Sequence, residues 1–354
     1  MNVFIDNYYI SRSRGMGRFV KCVKELSEKT QFLQSYSAIP YPIWEQLFVY
    51  WRLLFIRNSV VIFPYNTAPL FAFLFVKPVL VVHDLMYLDE KIFNLQYLLK
   101  PKSVLSFFYR RFFFYSSYKT SKSIIFVSEA VQKKFLNRFN YKGSTYVLNN
   151  TIIPSLEKSL LSINLKNQRK LSAVTKFVCV SGLSPTKNFN FLLDALIEFN
   201  KLDKGYDWEL TVVGLPPILP DNLFARVPSK VRRKISVLTE IDDAALAIVY
   251  ADSDFILFPS ISEGFGVPLI EAMASNLRLV VSNTSVMPTI CGAEARYFDP
   301  YSVRNFVDVL IDAVQTSNIE VAKTRSRYLK KFCNKIFKEK FDQIIDRIEA
   351  NQVH

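Results

Sequence analysis

The 354-residue sequence predicts an α/β protein of two domains, each an open, doubly wound sheet flanked by helices. Short apolar runs bounded by turn residues, among them VFI, VVIF, PVLVV, SIIF, FVCV and FILF, alternate along the chain with stretches of helical periodicity, which is the pattern that builds strand–helix–strand units. The length suits two domains of ordinary size, each able to bury its own core. Glycines and ionisable residues follow several of the apolar runs, at the carboxyl ends of the predicted strands, where such sheets hold ligands.

Composition excludes several classes. Half of the residues are hydrophobic, too many for a disordered chain. No apolar stretch reaches the ~18 residues of a membrane-spanning helix; the nearest approach, residues 68–82, is broken by Lys77 and Pro78. The amino terminus, MNVFIDNYYISRSRG, lacks the basic start, apolar run and cleavage site of a signal peptide, so a cytoplasmic protein is expected. Cys22, Cys179, Cys291 and Cys333 are scattered, and His83 and His354 complete no zinc spacing. Reduced, mostly buried thiols are expected. The net charge of +14 is uneven: residues 1–150 carry 20 Lys and Arg against 8 Asp and Glu, the remainder 25 against 23. Such a field suits an anionic membrane surface, a phosphorylated acceptor or nucleic acid. No nucleic-acid motif accompanies it, and no nucleic-acid partner is expected.

Taken in order, Val3–Ile5 is a short strand, and RGMGRFVKCVKEL is a glycine turn opening an amphipathic helix. A lone G-x-G serves sterics alone in many such turns. Val60–Phe63 is the next strand, and KPVLVVHDL gives another that ends in His83 and Asp84. A histidine there is ordinarily scaffold, yet this one stands at the ligand-binding end of a sheet. Val104–Lys122 is a helix carrying Arg110, Arg111, Lys119 and Lys122. It has two open readings, a helix at a bilayer interface or a core helix with solvated cations. SIIFVSEAVQKKF is strand, Ser128 and helix, and STYVLNNTIIP closes the first domain.

Residues 154–175 are polar, as in a linker with some helix. KFVCVSGLSPTKNFNFLLDALIEF is then strand, loop and helix, with Lys187 just before the helix; spacing alone makes it an exposed loop lysine. Trp208–Val213 is a strand, and ISVLTEIDDAALAIVYADSD reads as strand, acidic turn and helix. Two long amphipathic helices, 303–316 and 319–350, end the chain.

The most informative stretch is Ala251–Thr289, ADSDFILFPSISEGFGVPLIEAMASNLRLVVSNTSVMPT. It predicts a strand at Phe255–Phe258, a glycine loop, a helix beginning at Pro268 and a strand at Arg278–Ser282. Glu263 then lies on the loop and Glu271 in the first helical turn, both facing one crevice. Either acid alone reads as a turn residue or a complement to the helix dipole. Gly264 and Gly266 permit close approach of the backbone to a ligand.

Together, EGFGVPLIEAM with its Glu-x7-Glu spacing resembles the signature of the family 4 retaining nucleotide-sugar glycosyltransferases. The resemblance extends along nearly the whole chain and is strongest over residues 237–300. It implies the GT-B fold, two Rossmann-like domains facing across a cleft: an acceptor-side domain at 1–153, a linker at 154–175, a donor-binding domain at 176–335 and a crossover helix at 336–354. It implies that Glu263 contacts the transferred sugar and Glu271 the nucleotide ribose, within a donor-binding loop of Gly264, Phe265, Gly266 and Val267. Gly15, Gly17 and Arg18 match a loop that approaches the donor diphosphate. VHDL places His83 near the sugar as a hydrogen-bonding and electrostatic group, and the KN segment makes Lys187 a cation for the diphosphate. His83, Lys187 and Glu263 are thus the catalytic candidates. An arginine common near this lysine is absent at Gly182 and Thr186, Ser181 replaces a frequent glycine, and Thr289 replaces a frequent glutamate.

The implied activity moves a hexosyl group from a nucleoside diphosphate sugar to a glycan or lipid-linked glycan hydroxyl, with retention, in bacterial surface polysaccharide synthesis; mannose and rhamnose are among the implied sugars. A donor phosphate oxygen would help remove the acceptor proton, unlike the paired carboxylates of glycosidases. Asp252 and Asp254 precede a strand and read as turn residues, so no metal and no cofactor are expected beyond the sugar nucleotide as co-substrate. An anionic membrane surface is a candidate partner, at the inner face of the membrane. The departures leave an alternative, a catalytically weakened sugar-nucleotide-binding scaffold subunit of a polysaccharide-assembly complex.

Overall fold

The apolar runs form twelve strands in two wholly parallel sheets in the computed structural model, which describes residues 2–10, 16–34, 39–88, 101–166, 174–202, 207–316 and 321–351. The chain divides into one unit of Met1–Pro154 with Cys333–His354 and another of Ser155–Phe332.

In the first unit, β1 (Val3–Asp6), β2 (Gln31–Leu33), β3 (Val60–Phe63), β4 (Lys77–Val82), β5 (Ser123–Phe126) and β6 (Ser144–Val147) lie in the order β2-β1-β3-β4-β5-β6. All residues of β3 and all but the first of β4 are buried, because a parallel sheet is covered on both faces and its central strands read as unbroken apolar runs. The helix Met16–Leu26 buries Phe19, Val20, Cys22 and Val23. The last helix, Asn334–Ala350, returns to this unit. Its Phe337 ring lies 6.0 Å from Phe19, the Thr151 hydroxyl donates to Asn334 Oδ1 at 2.8 Å, and Ser27 Oγ donates to Asp342 Oδ1 at 2.6 Å. The single helix expected over 319–350 is two, Val321–Lys331 and Asn334–Ala350. They part where Cys333 turns extended (φ −65°, ψ 160°) and the chain passes from the second unit to the first.

In the second unit, β7 (Val174–Val180), β8 (Asp207–Val213), β9 (Ile235–Leu238), β10 (Phe255–Phe258), β11 (Arg278–Ser282) and β12 (Ala295–Phe298) run in the order β12-β11-β10-β7-β8-β9. The chain builds outward from β7 to β9, then restarts on the other side of β7 with β10. This reversal makes β7 and β10 the switch point, outside whose carboxyl ends a doubly wound sheet binds ligands. Phe177, Leu192, Leu196, Trp208, Phe255, Leu257 and Phe306 belong to the core beneath it. Residues 154–166 of the expected linker form the helix Pro154–Lys166, and residues 167–173 lie outside the described residues. Among the described residues, no helix is long and apolar enough to cross a membrane.

Candidate active site

After β7 the chain passes Gly182 and makes a tight turn at Pro185–Lys187. Asn188 then adopts a left-handed conformation (φ 54°), which asparagine tolerates better than most residues. Its Nδ2 donates to the Pro300 carbonyl at 2.9 Å. The KN dipeptide is therefore also a structural device that starts the helix Phe189–Lys201.

The loop after β10 is latched to its neighbours. Ile261 N–H donates to the Thr186 carbonyl at 2.7 Å, and Thr284 Oγ1 donates to the Ile261 carbonyl at 3.0 Å. Ser285 Oγ accepts from Glu263 N–H at 3.2 Å and donates to the Glu263 carbonyl at 3.0 Å. Three loops, following β7, β10 and β11, thus fix one another. Sequence reasoning missed Thr284 and Ser285; the hydroxyl-rich SNTS after an apolar run was the available signal.

This latch presents one charge pair. Lys187 Nζ lies 2.6 Å from Glu263 Oε1, with the two side chains 28% and 14% exposed. The ammonium stands 5.9 Å from the Phe258 ring centroid, within cation–π range. A partly exposed ion pair adds little stability. What it does is hold a cation and an acid, still reachable by solvent, at the switch point.

The helix after the loop spans Val267–Ala274, one residue earlier than expected. Gly266 reaches φ 85°, ψ 56° and serves as its cap; a Cβ there would also come within 3.1 Å of Leu269 Cδ1. With that start, Glu271 is the fifth helical residue and lies past the first turn. It is buried, and its carboxylate accepts from the Tyr250 hydroxyl at 2.8 Å. Phe265 is buried as well, its ring 5.7 Å from Phe332. The structure therefore brings Lys187 and Glu263 together, while Glu271 meets Tyr250 and the Phe265 side chain joins the interior. Gly264 and Val267 are partly exposed on the same loop and helix start. Asp252 pairs with Lys176 Nζ at 2.9 Å, and Asp254 accepts from Lys176 N–H at 2.9 Å. Both acids sit at the amino ends of β7 and β10, the opposite edge of the sheet.

In the first unit, His83 follows β4 directly. Its Nε2 is 3.0 Å from the Pro64 carbonyl, and its backbone N–H donates to Asn66 Oδ1 at 2.6 Å. A carbonyl oxygen can only accept, so the ring proton sits on Nε2 and Nδ1 carries the lone pair. Burial lowers the His83 pKa to about 4, and the ring is neutral at pH 7. A small pocket is lined by Tyr65, Asn66, Asp84, Arg110 and Phe114, among others. Gly15 lies outside the described residues. Gly17 and Arg18 belong to the first turn of the helix Met16–Leu26, with Gly17 buried, so neither stands in the expected glycine turn.

Two acids nearby went unnoticed in the sequence. Asp6, at the end of β1, is fully buried, and burial foremost pushes it up to about 7, with Glu45 adding to the effect. Glu45 is also fully buried, and burial raises its pKa. Its carboxylate accepts from Tyr41 at 2.7 Å, Thr67 at 2.6 Å and Gln46 at 2.9 Å, and from the Tyr109 hydroxyl.

Residues 174–316 match the family described as Glycosyl transferases group 1. The chain is 26% identical over 230 residues to O-antigen chain mannosyltransferase RfbU of Salmonella typhimurium, a match covering 63% of this chain and 61% of that protein's length. In fold it is similar to sucrose-phosphate synthase from Thermosynechococcus elongatus, with a TM-score of 0.73 at 13% identity over 99% of this chain and 100% of the other. It is likewise similar to HepE of Anabaena, solved in complex with UDP and glucose, with a TM-score of 0.69 at 13% identity over the same shares. The match to the group 1 glycosyl transferases thus lies within the second unit, and the chain has the GT-B fold of these solved structures.

Proposed function

We propose that the chain transfers a hexosyl group, with mannosyl the first to test, from a nucleoside diphosphate sugar to a glycan or lipid-linked glycan hydroxyl in bacterial surface polysaccharide synthesis. The transfer retains the anomeric configuration. The observation that carries this reading is the Lys187–Glu263 pair at the switch point of the second sheet; the mannosyltransferase named above supports the choice of sugar.

Cleavage of the glycosyl–phosphate bond builds negative charge on the departing diphosphate, and a preorganised cation lowers that barrier directly. Lys187 is the cation in this scheme. Glu263 holds it in place before the donor arrives and then hydrogen-bonds the sugar hydroxyls. Glu271, fixed by Tyr250, aligns the ribose, and the backbone from Gly264 to Val267 lies along the donor. His83, neutral and anchored through Nε2, offers a hydrogen bond to the transferred sugar and no charge. The acceptor proton passes to a donor phosphate oxygen, so the scheme uses neither a protein nucleophile nor a metal.

The scaffold reading draws on Gly182, where the common arginine is missing and an added Cβ would meet nothing within 4 Å. One experiment separates the two. Purified protein is incubated with labelled sugar nucleotides, GDP-mannose included, and a polysaccharide-repeat acceptor, with and without EDTA. Saturable transfer, insensitive to EDTA, with an α-linked product from an α-linked donor and loss of turnover in Lys187→Met, supports the enzyme. Saturable binding without turnover supports the scaffold, and neither binding nor turnover contradicts both.

A further inference from the structure

The helical stretch from Tyr41 to Phe55 is apolar on both of its sides. Tyr41, Trp44, Val49 and Leu53 are buried, while Ile43, Leu47, Trp51 and Phe55 are exposed. The exposed four recur every fourth residue and so form one outward stripe, with the rings of Trp51 and Phe55 6.2 Å apart. A helix bordering water carries polar residues on that side. Here Trp51 is 68% and Phe55 76% exposed.

Neighbouring elements extend the stripe. Leu70 N–H donates to Gln46 Oε1 at 3.1 Å and Phe71 N–H to the Tyr50 hydroxyl at 2.9 Å, which sets the exposed Phe71, Phe73 and Leu74 beside the helix. The Tyr109 hydroxyl donates to Glu45 and ties in the helix Pro101–Thr120, which exposes Leu105, Phe108 and Phe112. That helix buries Phe114 and Ser117 on its inner side. Contiguous apolar surface beyond a few hundred Å² marks an interaction site.

Charge selects the partner. Arg52, Arg57, Lys77, Arg110 and Arg111 lie on these same elements, and the one acid within residues 41–77 and 101–122 is Glu45, which is buried. A second copy docking by two-fold symmetry would bring this cationic patch against itself, a costly like-charge juxtaposition. We propose that this face of the first unit adsorbs to an anionic lipid bilayer, led by Leu47, Trp51 and Phe55 at the headgroup boundary, with Arg52 and Arg57 on lipid phosphates. An aromatic stripe with flanking cations is the composition that lies in such an interface. The proposal stands apart from the glycosyl-transfer reading and fails independently of it.

The protein supplies its own reporter, since Trp51 is exposed while Trp44 and Trp208 are buried. The full chain is mixed with vesicles of phosphatidylcholine alone or with about one-third phosphatidylglycerol, and tryptophan emission and co-sedimentation are read. The expected result is a blue shift and at least ~10-fold tighter partitioning onto the anionic vesicles, weakened by salt. Trp51→Ser with Phe55→Ser, both at exposed positions, abolishes co-sedimentation while leaving the melting temperature unchanged. Arg52→Glu with Arg57→Glu removes the preference for anionic lipid. Absence of binding to either vesicle, equal binding to both, or a dimer in light scattering that Trp51→Ser with Phe55→Ser dissolves would each overturn the proposal.

Discussion

The carboxyl ends of the two sheets handle ionisable side chains in opposite ways. In the second unit, Lys187 and Glu263 are paired and partly open to solvent. In the first, Asp6, Glu45 and His83 are buried, and burial shifts each of them toward its uncharged form. Pairing keeps charge available, whereas desolvation suppresses it. A diphosphate needs a standing cation, and a neutral hydroxyl needs hydrogen-bonding groups without a strong field. The contrast fits a donor-side and an acceptor-side unit under the function proposed above.

The sharpest way to break this comparison is to remove the cation. Lys187→Met should lower turnover by roughly 10²- to 10³-fold, the range for losing one preorganised charge stabiliser, with little change in melting temperature because the pair is partly exposed. A large loss of stability with unchanged turnover would make the pair structural. The matching test in the first unit should act on stability. Glu45→Ala leaves the Tyr41 and Thr67 hydroxyls without their acceptor and should cost about 3 kcal/mol in denaturant unfolding; Glu45→Gln, which keeps an acceptor, should cost less.

pH sharpens the contrast further. The folded-state pKa of Asp6, raised to about 7 from 3.8, means the native state holds its proton longer, so this group's contribution is full below pH ~4 and is lost as pH rises to about 7. The His83 pKa, lowered to about 4 from 6.5, acts in the other direction: its contribution is full above pH ~6.5 and is lost as pH falls toward 4. The two slopes oppose each other between about pH 4 and 6.5. Asp6→Asn keeps an acceptor for Tyr8 N–H, which donates to Asp6 Oδ1 at 3.0 Å. Relative to the unmodified chain it should gain stability with rising pH, by up to ~1.4 kcal/mol per unit. His83→Gln should gain with falling pH. Melting curves across this range check both signs. The smallest effects separate two glycines: Gly266→Ala should cost about 1 kcal/mol because its φ is 85°, whereas Gly182→Ala, facing open space, should be near neutral.

Much of this was legible in the sequence because it is local. Apolar runs set β3, β4 and β10, and EGFGVPLIEAM marked the loop that carries Glu263. What stayed hidden depends on partners far along the chain. Glu271 is buried and accepts a hydrogen bond from Tyr250, 21 positions earlier. Glu45 is the single acid in an aromatic stretch and gains its role through Thr67 and Tyr109, 22 and 64 positions away. Gly17 matched a turn motif but entered the helix, since a G-x-G pattern does not fix where helical geometry begins. The outward stripe of Trp51 and Phe55 resembles core in sequence; solvent exposure alone reveals it.

The measurement closest to the central claim is calorimetric titration of GDP-mannose and of free GDP into the unmodified chain, Lys187→Met and Glu263→Gln. The account predicts saturable binding of both ligands to the unmodified chain, weakened at least ~10-fold by Lys187→Met, while Glu263→Gln weakens the sugar nucleotide more than free GDP. Equal affinities across all three proteins, or a Glu263→Gln effect of the same size on both ligands, would contradict it.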